Sequence, residues 1–253
     1  MSLSSRLRSG ETVFSAWSAL PNPLTIEAVA KAGFDAVTMD MQHGGHDVAS
    51  VLGGIGLIVA NGRHPAVRVP LNDFAMVSRA LDFGAEAVIA PMINSVEDAQ
   101  RLAAVAKYPP LGERSWGQYR RMEGYGQSLP SDYLTVANEA SLVFAMVETR
   151  AAYEILDDIL AVPGIDGIFV GPSDFSIAWS DGAEVNAASE TIIEPLRNIA
   201  ERVSRAGKIP AAYALDAKMA RRFTSLGYRF LTVGSDSTYL RLGVQMLLDE
   251  INS

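Results

Sequence analysis

The chain has 253 residues, of which 49% are hydrophobic and 20% charged, so it can bury a large core and is not expected to be disordered. Its formal net charge of −8 disfavours nucleic acid as a partner, because phosphate backbones are bound by clustered Lys and Arg. The lack of cysteine excludes disulfides, thiolate metal sites and a cysteine nucleophile. The sequence shows neither a signal-peptide pattern nor an apolar run long enough to span a bilayer, so we expect a cytoplasmic protein that does not bind membranes.

Short apolar runs alternate with helical segments along the chain, which is typical of βαβ units around a parallel sheet. The predicted strands are residues 13–19, 36–41, 66–69, 87–91, 142–147, 167–170, 209–214 and 230–233. The predicted helices between them include residues 24–32, 73–81, 96–106, 152–159, 192–205 and 217–226. Eight strands in this order predict an α/β fold, a single (β/α)8 barrel over residues 1–253. A doubly wound sheet is the competing layout, but it more often has a Gly-rich phosphate turn after its first strand, which this sequence lacks.

The longest stretch without a clear period is residues 108–133, which is rich in Gly, Arg, Pro and aromatic residues. It follows the fourth predicted strand, and such long loops often carry binding or catalytic residues. We therefore predict a functional loop in this stretch.

Polar residues follow most of the predicted strands at their carboxyl ends. In a parallel barrel all these ends lie at one mouth, where the active site is built. The residues are Asp40, Gln42 and His43 after the second strand, Arg68 in the third, Glu148 and Arg150 after the fifth, Gly171-Pro172-Ser173-Asp174 after the sixth, and Gly234-Ser235-Asp236 after the eighth.

Glu148 and Asp174 are carboxylates with no His or Cys near them in the sequence. An all-oxygen pair suits a hard divalent cation that keeps water or substrate oxygens in its other positions, so Mg²⁺ or Mn²⁺ is favoured over structural zinc. A single carboxylate is more often a helix N-cap or a surface charge, but a position at a strand end after an apolar run favours a site.

His43 is the histidine best placed for catalysis. Asp40 stands three residues before it, where its carboxylate could accept the imidazole N–H and raise the basicity of the ring. His46 and His64 lack such a partner by spacing; we expect His64 to be structural and His46 to lie in a loop near the mouth. Arg68 lies in an apolar strand, where a guanidinium is costly unless it meets an anion. It is predicted to bind a carboxylate or keto oxygen, with an intramolecular salt bridge as the alternative.

Together these motifs resemble the HpcH/HpaI aldolase family of class II, metal-dependent pyruvate aldolases. The resemblance covers nearly the whole chain, with the motifs in family order. They are Gly33-Phe34-Asp35 through Asp40-Met41-Gln42-His43, Pro65-Ala66-Val67-Arg68-Val69-Pro70, Ala90-Pro91-Met92-Ile93, Tyr108-Pro109-Pro110-Leu111-Gly112-Glu113-Arg114, Val147-Glu148-Thr149-Arg150 and Gly167-Ile168-Phe169-Val170-Gly171-Pro172-Ser173-Asp174.

The resemblance implies a role for each matching residue. Glu148 and Asp174 would bind the metal (Mg²⁺ or Mn²⁺, with Co²⁺ also compatible), His43 would be the base and Asp40 would orient it. The substrate-binding residues it implies are Arg68 for the pyruvyl group, the backbone of Gly171, Pro172 and Ser173 for its carboxylate, and Trp17 and Gln42.

The resemblance further implies an assembly. The family forms homo-oligomers, hexamers built as trimers of dimers, which exchange a C-terminal helix and place the site at a subunit interface. Asp82 matches a family aspartate that reaches the site of a neighbouring subunit. The sequence departs from the family at Gln42, where many relatives have Glu, and at Met146, where a Gln is common.

The activity implied is the reversible cleavage of 4-hydroxy-2-oxo acids to pyruvate and an aldehyde through a metal-stabilised pyruvate enolate. The residues themselves argue against a Schiff-base aldolase, because none of the four lysines (Lys31, Lys107, Lys208 and Lys218) lies at a strand carboxyl end. Two alternatives stay open: a related metal-dependent lyase or decarboxylase acting on oxaloacetate-like acids, and a non-catalytic pyruvate-binding protein.

Aromatic and arginine side chains offer further candidates for the aldehyde side of the site. Trp17, Trp116, Tyr119 and Tyr213 could line it, although aromatic residues are more often found in the core. Arg114, Arg120 and Arg121 could receive an acidic aldehyde or form a solvated interface, and the sequence does not choose between these roles.

Overall fold

A computed structural model, which describes residues 1–117 and 133–253, is a closed barrel of parallel strands surrounded by helices. Within these residues eight strands pair in sequence order, and β8 closes onto β1. The strands are β1 Val13–Ser18, β2 Ala36–Asp40, β3 His64–Arg68, β4 Ala87–Ala90, β5 Leu142–Met146, β6 Gly167–Val170, β7 Ile209–Ala214 and β8 Phe230–Val233. The predicted (β/α)8 barrel is confirmed, and all eight predicted strands are present with bounds shifted by at most two residues.

The helices pack around the outside of the barrel, except for the first, which precedes β1. They are α1 Leu3–Arg8, α2 Pro23–Lys31, α3 Val48–Ala60, α4 Phe74–Asp82, α5 Val96–Ala106, α6 Tyr133–Ala140, α7 Arg150–Glu154, α8 Leu156–Ala161, α9 Pro172–Trp179, α10 Ile193–Arg205, α11 Ala217–Ser225 and α12 Asp236–Ile251. The predicted helix 152–159 is wrong as one element, because it forms two short helices that meet at Ile155.

Two apolar clusters hold this arrangement together. The larger one fills the layer between the strands and the outer helices, as expected for strands that are buried on both faces. The smaller one fills the barrel interior, where Phe144 and Phe230 stack with ring centroids 5.4 Å apart. Leu3 and Leu7 of α1 belong to this inner cluster, so α1 closes the N-terminal end of the barrel. The C-terminal end is thereby left as the accessible mouth.

No helix in residues 1–117 or 133–253 combines the length and the apolar character needed to cross a bilayer. The predicted functional loop 108–133 is described only in part. Tyr119, Arg120 and Arg121 lie outside the described residues, whereas Tyr133 begins α6.

Candidate active site

A cavity of about 300 Å³ opens at the carboxyl ends of the strands. It is lined by Trp17, Ala19, Asp40, His43, Arg68, Met146, Glu148, Phe169, Gly171, Pro172, Ser173, Asp174, Tyr213 and Ser235. The structure therefore brings together nine of the eleven site residues expected from the sequence, all except Gln42 and Asp82. This convergence follows from the barrel topology, which carries side chains from distant parts of the chain to one rim.

Arg68 and Asp40 form a buried bidentate ion pair in the wall of the cavity. They are the last residues of β3 and β2 and stand opposite each other in the strand register. Arg68 Nε donates to Oδ1 of Asp40 at 2.8 Å, and its terminal NH2 group donates to Oδ2 at 2.7 Å. The guanidinium also lies 4.7 Å from the ring centroid of Trp17. This geometry fixes the plane of the guanidinium, as required for recognition of a planar carboxylate or keto group.

The predicted hydrogen bond between Asp40 and the His43 ring is wrong. The Asp40 carboxylate is occupied by Arg68 and by the backbone N–H groups of Gln42 (3.0 Å) and His43 (3.3 Å). Burial alone would raise the pKa of Asp40, but the hydrogen bonds and charge of Arg68, aided by the two backbone N–H groups, lower it below its usual range. Asp40 therefore acts on the backbone of the turn that carries His43, whose own side chain is exposed at the rim.

Glu148 is a buried carboxylate, only 3% exposed, that follows β5. Its Oε2 accepts the N–H of Met92 at 3.1 Å, and Met92 adopts a left-handed backbone with a φ of 54°. A Cβ atom on Gly171 would lie 2.5 Å from Oε1 of Glu148, so a side chain there would displace this carboxylate from its position.

The electrostatics of Glu148 fit a bound cation. Burial is the largest influence and raises the pKa of Glu148 to about 7; the charge of Asp174 also raises it, whereas the Met92 N–H and Arg68 act in the opposite direction. Arg68, whose charge acts to lower the pKa of Glu148, is already paired with Asp40. Two neighbouring carboxylates, one of them buried, form a donor set that a divalent cation would stabilise. No cluster of three or more His, Cys, Asp or Glu able to hold a metal occurs in the described part of the chain, so other ligands would be water or substrate.

The first turn of α9 lines one side of the cavity. Gly171 is its N-cap, Pro172 occupies the first helical position and Asp174 lies in the first turn. The backbone N–H groups of a first helical turn have no acceptor within the helix, and the helix dipole favours negative charge there. Proline at the first position costs nothing because its missing N–H would be unpaired anyway. The turn is therefore suited to a carboxylate.

Comparison with known proteins assigns the chain to a family. A family model described as HpcH/HpaI aldolase/citrate lyase matches residues 14–241. The chain belongs to this family. The predicted resemblance to HpcH/HpaI aldolases is thereby confirmed, and the protein is an enzyme of an aldolase and lyase family.

Two curated HpcH/HpaI relatives and one solved structure illustrate how far the similarity extends. The hydroxypyruvate/pyruvate aldolase of Roseovarius nubinhibens is 34% identical over 93% of this chain and 91% of its own. The 4-hydroxy-2-oxo-heptane-1,7-dioate aldolase of Salmonella arizonae is 34% identical over 95% of this chain and 90% of its own. The crystal structure of an HpcH/HpaI aldolase/citrate lyase family protein from Burkholderia cenocepacia J2315 has a TM-score of 0.88 and 30% identity, covering 99% of both chains.

Two of the residues expected from the HpcH/HpaI resemblance lie outside the cavity. Gln42 does not line it, and its Oε1 is buried without a hydrogen-bond partner among the described residues. Asp82 ends α4 and pairs with Arg114 at 2.6 Å; its burial raises its pKa although Arg114 acts to lower it. The predicted contribution of Asp82 to a neighbouring subunit stays a prediction.

The remaining aromatic and arginine candidates differ in whether they line the cavity. Tyr213 lines the cavity and packs edge-on against Trp17 at 5.3 Å. Trp116 is 52% exposed, lies outside the cavity lining and contacts Tyr108, and Arg114 is buried against Asp82. Phe169 lines the cavity but was not among the residues predicted from the sequence. Side chains alternate between the two faces of a strand, and this alternation along β6 could have identified Phe169 as pointing into the barrel.

Proposed function

We propose that this HpcH/HpaI-family protein is a class II pyruvate aldolase that reversibly cleaves 4-hydroxy-2-oxo acids to pyruvate and an aldehyde. The observation that carries the proposal is the buried Glu148 carboxylate, which lies beside Asp174 at the start of α9 and forms no ion pair among the described residues. Two relatives that are 34% identical bear the names of pyruvate and 4-hydroxy-2-oxo-heptane-1,7-dioate aldolases, which supports the same substrate class.

Glu148 and Asp174 would hold the divalent metal, with Mg²⁺ or Mn²⁺ preferred because both donors are carboxylate oxygens. When bound, the metal would supply Lewis-acid stabilisation of the negative charge that develops on the 2-oxo acid. Gly171 makes room for Glu148, and the Met92 N–H orients it.

The other residues would bind and orient the substrate. The Arg68 guanidinium would donate to the pyruvyl oxygens, and the first turn of α9 would receive the carboxylate through its backbone N–H groups. Trp17, held between Arg68, Phe169 and Tyr213, would fix the floor of the cavity. Arg68 and Trp17 are held in place by contacts within the protein, which favours stabilisation of charge in the transition state.

His43 would move the proton. In cleavage it would take the proton of the C4 hydroxyl; the C3–C4 bond breaks, the aldehyde leaves, and the electron pair forms the enolate of pyruvate. Returning the proton to C3 gives the pyruvate methyl group. Because no lysine lines the cavity and Lys107 and Lys208 lie near the N-terminal ends of the strands, a Schiff base is not supported.

The proposal includes a homo-oligomer, a hexamer built as a trimer of dimers, in which Asp82 reaches a neighbouring site. The C-terminal helix α12 supports an assembly because it exposes Leu240, Leu242, Val244, Met246, Leu247 and Ile251. Light scattering after gel filtration would test it, with an expected mass six times that of the 27.1 kDa subunit. A monomer would contradict it. A cytoplasmic location stays a prediction.

The activity is tested by measuring pyruvate release from a panel of 4-hydroxy-2-oxo acids, with oxaloacetate included to detect the alternative lyase or decarboxylase reaction. We expect release to stop with EDTA, to return with Mn²⁺ or Mg²⁺, and to fall at least about 100-fold in Glu148→Gln. Glu97→Gln, which changes an exposed glutamate of α5 that does not line the cavity, is the matched control and should keep full activity. Pyruvate release that is insensitive to EDTA, or an active Glu148→Gln, would contradict the metal-dependent mechanism.

A further inference from the structure

A buried cluster of polar side chains lies directly behind the active-site mouth. Ser18, His46 and Asp236 are 0%, 5% and 1% exposed; Ser18 ends β1, His46 lies in the turn after β2, and Asp236 begins α12 after β8. Ser18 Oγ lies 3.0 Å from Nε2 of His46 and 3.2 Å from Oδ2 of Asp236. The mechanism described above uses none of these three residues.

The direction of each hydrogen bond follows from the groups involved. The Asp236 carboxylate is an acceptor, so the single hydroxyl proton of Ser18 is donated to it. The Ser18 oxygen is then free to accept a proton from Nε2 of His46. Nδ1 of His46 lies 3.2 Å from Oγ of Ser50, which also donates to the carbonyl of Asp47 at 3.0 Å. Burial keeps the pKa of His46 below its usual value, although the charges of Asp236, Asp40 and Asp47 act to raise it. This shift favours a neutral ring, in agreement with donation from Nε2 to Ser18.

The cluster holds together the loops that form the cavity rim. Oδ2 of Asp236 also accepts the backbone N–H groups of Ala19 and Leu20, each at 2.9 Å. The Gly45 N–H donates to the carbonyl of Ala19 at 2.8 Å, and a Cβ on Gly44 would lie 3.0 Å from the Ala19 Cα. The turn of residues 41–47, which carries His43, is therefore packed against a loop that Asp236 fixes.

His46 is the one side chain of this turn that reaches into the cluster. The start of α3 does not depend on it, because Asp47 caps that helix through a capping box with Ser50. The exposed His43 ring has no hydrogen bond of its own among the described residues, so its position depends on the backbone of the turn.

We propose that His46 is a positioning residue that holds the His43 turn against the rim through Ser18 and Asp236. The inference rests on the proposed role of His43 as the proton-transfer group. His46 does not line the cavity, so its effect on the reaction is indirect, through the placement of the turn that carries His43.

Substitution of His46 tests this role by its effect on kcat and KM for pyruvate release. His46→Phe keeps a ring of similar size but cannot donate to Ser18, and we expect kcat to fall about 10- to 100-fold. KM should stay unchanged, because Arg68 and α9 bind the pyruvyl group. His46→Gln retains an N–H donor and should restore most of kcat. His64→Phe, the same change at the opposite end of the barrel, is the matched control and should keep wild-type kcat.

A double-mutant cycle separates positioning from a general structural effect. In a His43→Ala background, His46→Phe should cause no further loss of kcat, because the group that it positions is gone. An equal loss of kcat in both backgrounds would overturn the proposal. Wild-type kcat in a folded His46→Phe variant would also overturn it, and so would a His46→Gln variant with kcat as low as that of His46→Phe. If His46→Phe does not fold, Ser18→Ala breaks the same link, and its kcat must fall.

Hydrogen exchange of the Gly45 amide measures how firmly the His43 turn is held, and it does not depend on catalytic activity. This amide, bonded to Ala19 in the wild type, should exchange faster in His46→Phe and at the wild-type rate in His64→Phe. Unchanged protection in His46→Phe would overturn the positioning role even if the proposed aldolase activity holds. If the Gly45 amide loses protection in His46→Phe but the wild-type protein releases no pyruvate, only the proposed function is contradicted.

Discussion

Gly171 lies where any side chain would collide with the buried carboxylate of Glu148. A Cβ there would meet Oε1 at 2.5 Å and Cε of Met146 at 3.3 Å. The backbone φ of −92° is available to alanine, so Gly171→Ala would act by displacing Glu148 and not by straining the chain. We expect kcat to fall about 100-fold, with weaker Mn²⁺ binding, as measured by pyruvate release and by titration with Mn²⁺.

A glycine elsewhere in the barrel provides the control for this substitution. Gly53 is exposed in α3, and an added Cβ meets nothing within 4 Å. Gly53→Ala should keep full activity and stabilise the protein by up to about 1 kcal/mol, because alanine favours the helix more than glycine. Wild-type kcat in Gly171→Ala would show that the Glu148 position is not set by this close approach.

The buried His46 predicts how stability depends on pH. Its pKa in the folded protein lies below the usual 6.5, chiefly because of burial, with the charges of Asp236, Asp40 and Asp47 opposing the shift. As the pH falls, the unfolded chain therefore takes up this proton first, and the contribution of His46 to stability, complete above about pH 6.5, is lost. We expect the Tm advantage of wild type over His46→Gln to shrink between about pH 7.5 and about pH 5. A pH-independent difference would contradict this.

The pairing of Asp40 shows what chain spacing cannot reveal at the scale of single residues. Asp40 and His43 are three residues apart, which suggested a hydrogen bond between their side chains. Arg68 is 28 residues from Asp40 but stands opposite it in the parallel register of β2 and β3. That register is set by barrel closure and not by the local sequence, so the carboxylate is taken by the cation of the next strand.

Arg150 joins the two elements that carry the proposed metal ligands. It begins α7, two residues after Glu148, and its guanidinium donates to the carbonyls of Ala178 (2.9 Å) and Trp179 (2.6 Å) at the end of α9. The group also lies 4.6 Å from the Trp179 ring centroid. The first turn of α9 carries Asp174, so Arg150 helps fix the distance between the ligand-bearing elements.

Arg150→Met should loosen α9 without unfolding the barrel. The side chain is 46% exposed, so we expect less than about 1 kcal/mol of lost stability and a rise of about fivefold in KM for the 2-oxo acid. Steady-state kinetics and thermal melting would measure the two effects. Arg197→Met, which removes a similarly exposed arginine that pairs with Glu194 on α10, is the control and should leave KM unchanged. An unchanged KM in Arg150→Met would contradict the linking role.

The strands were easier to predict than the helices for a physical reason. Each strand is a short, continuous apolar run because it is buried on both faces, and such runs stand out in the sequence. Helix α3 was not predicted, because Gly53, Gly54 and Gly56 disfavour a helix by about 1 kcal/mol each. Its packing overrides that cost: a Cβ on Gly54 would lie 2.6 Å from Sδ of Met39, so the close approach of α3 to β2 requires glycine.

The two ends of the barrel differ in what they contribute to the whole molecule. The carboxyl ends hold the candidate site, which the sequence predicted because all parallel strands end at one rim. The N-terminal end holds a buried network that the sequence did not predict, since its members come from distant segments. Lys107 donates to Asp166 (2.7 Å) and to the carbonyls of Asn138 (2.6 Å) and Ser141 (2.5 Å), while Arg8 of α1 pairs with the same Asp166.

This division predicts that the Lys107 network affects stability and not catalysis. Lys107 is 1% exposed, so Lys107→Met would leave Asp166 and two carbonyls short of a donor and should cost about 3 kcal/mol of unfolding free energy. Lys31→Met, which removes an exposed lysine paired with Glu27 in α2, should cost less than about 0.5 kcal/mol. Urea unfolding measures both costs, and kcat below the transition should match wild type in both variants. A folded Lys107→Met with impaired kcat would show that the closed end of the barrel is coupled to the site.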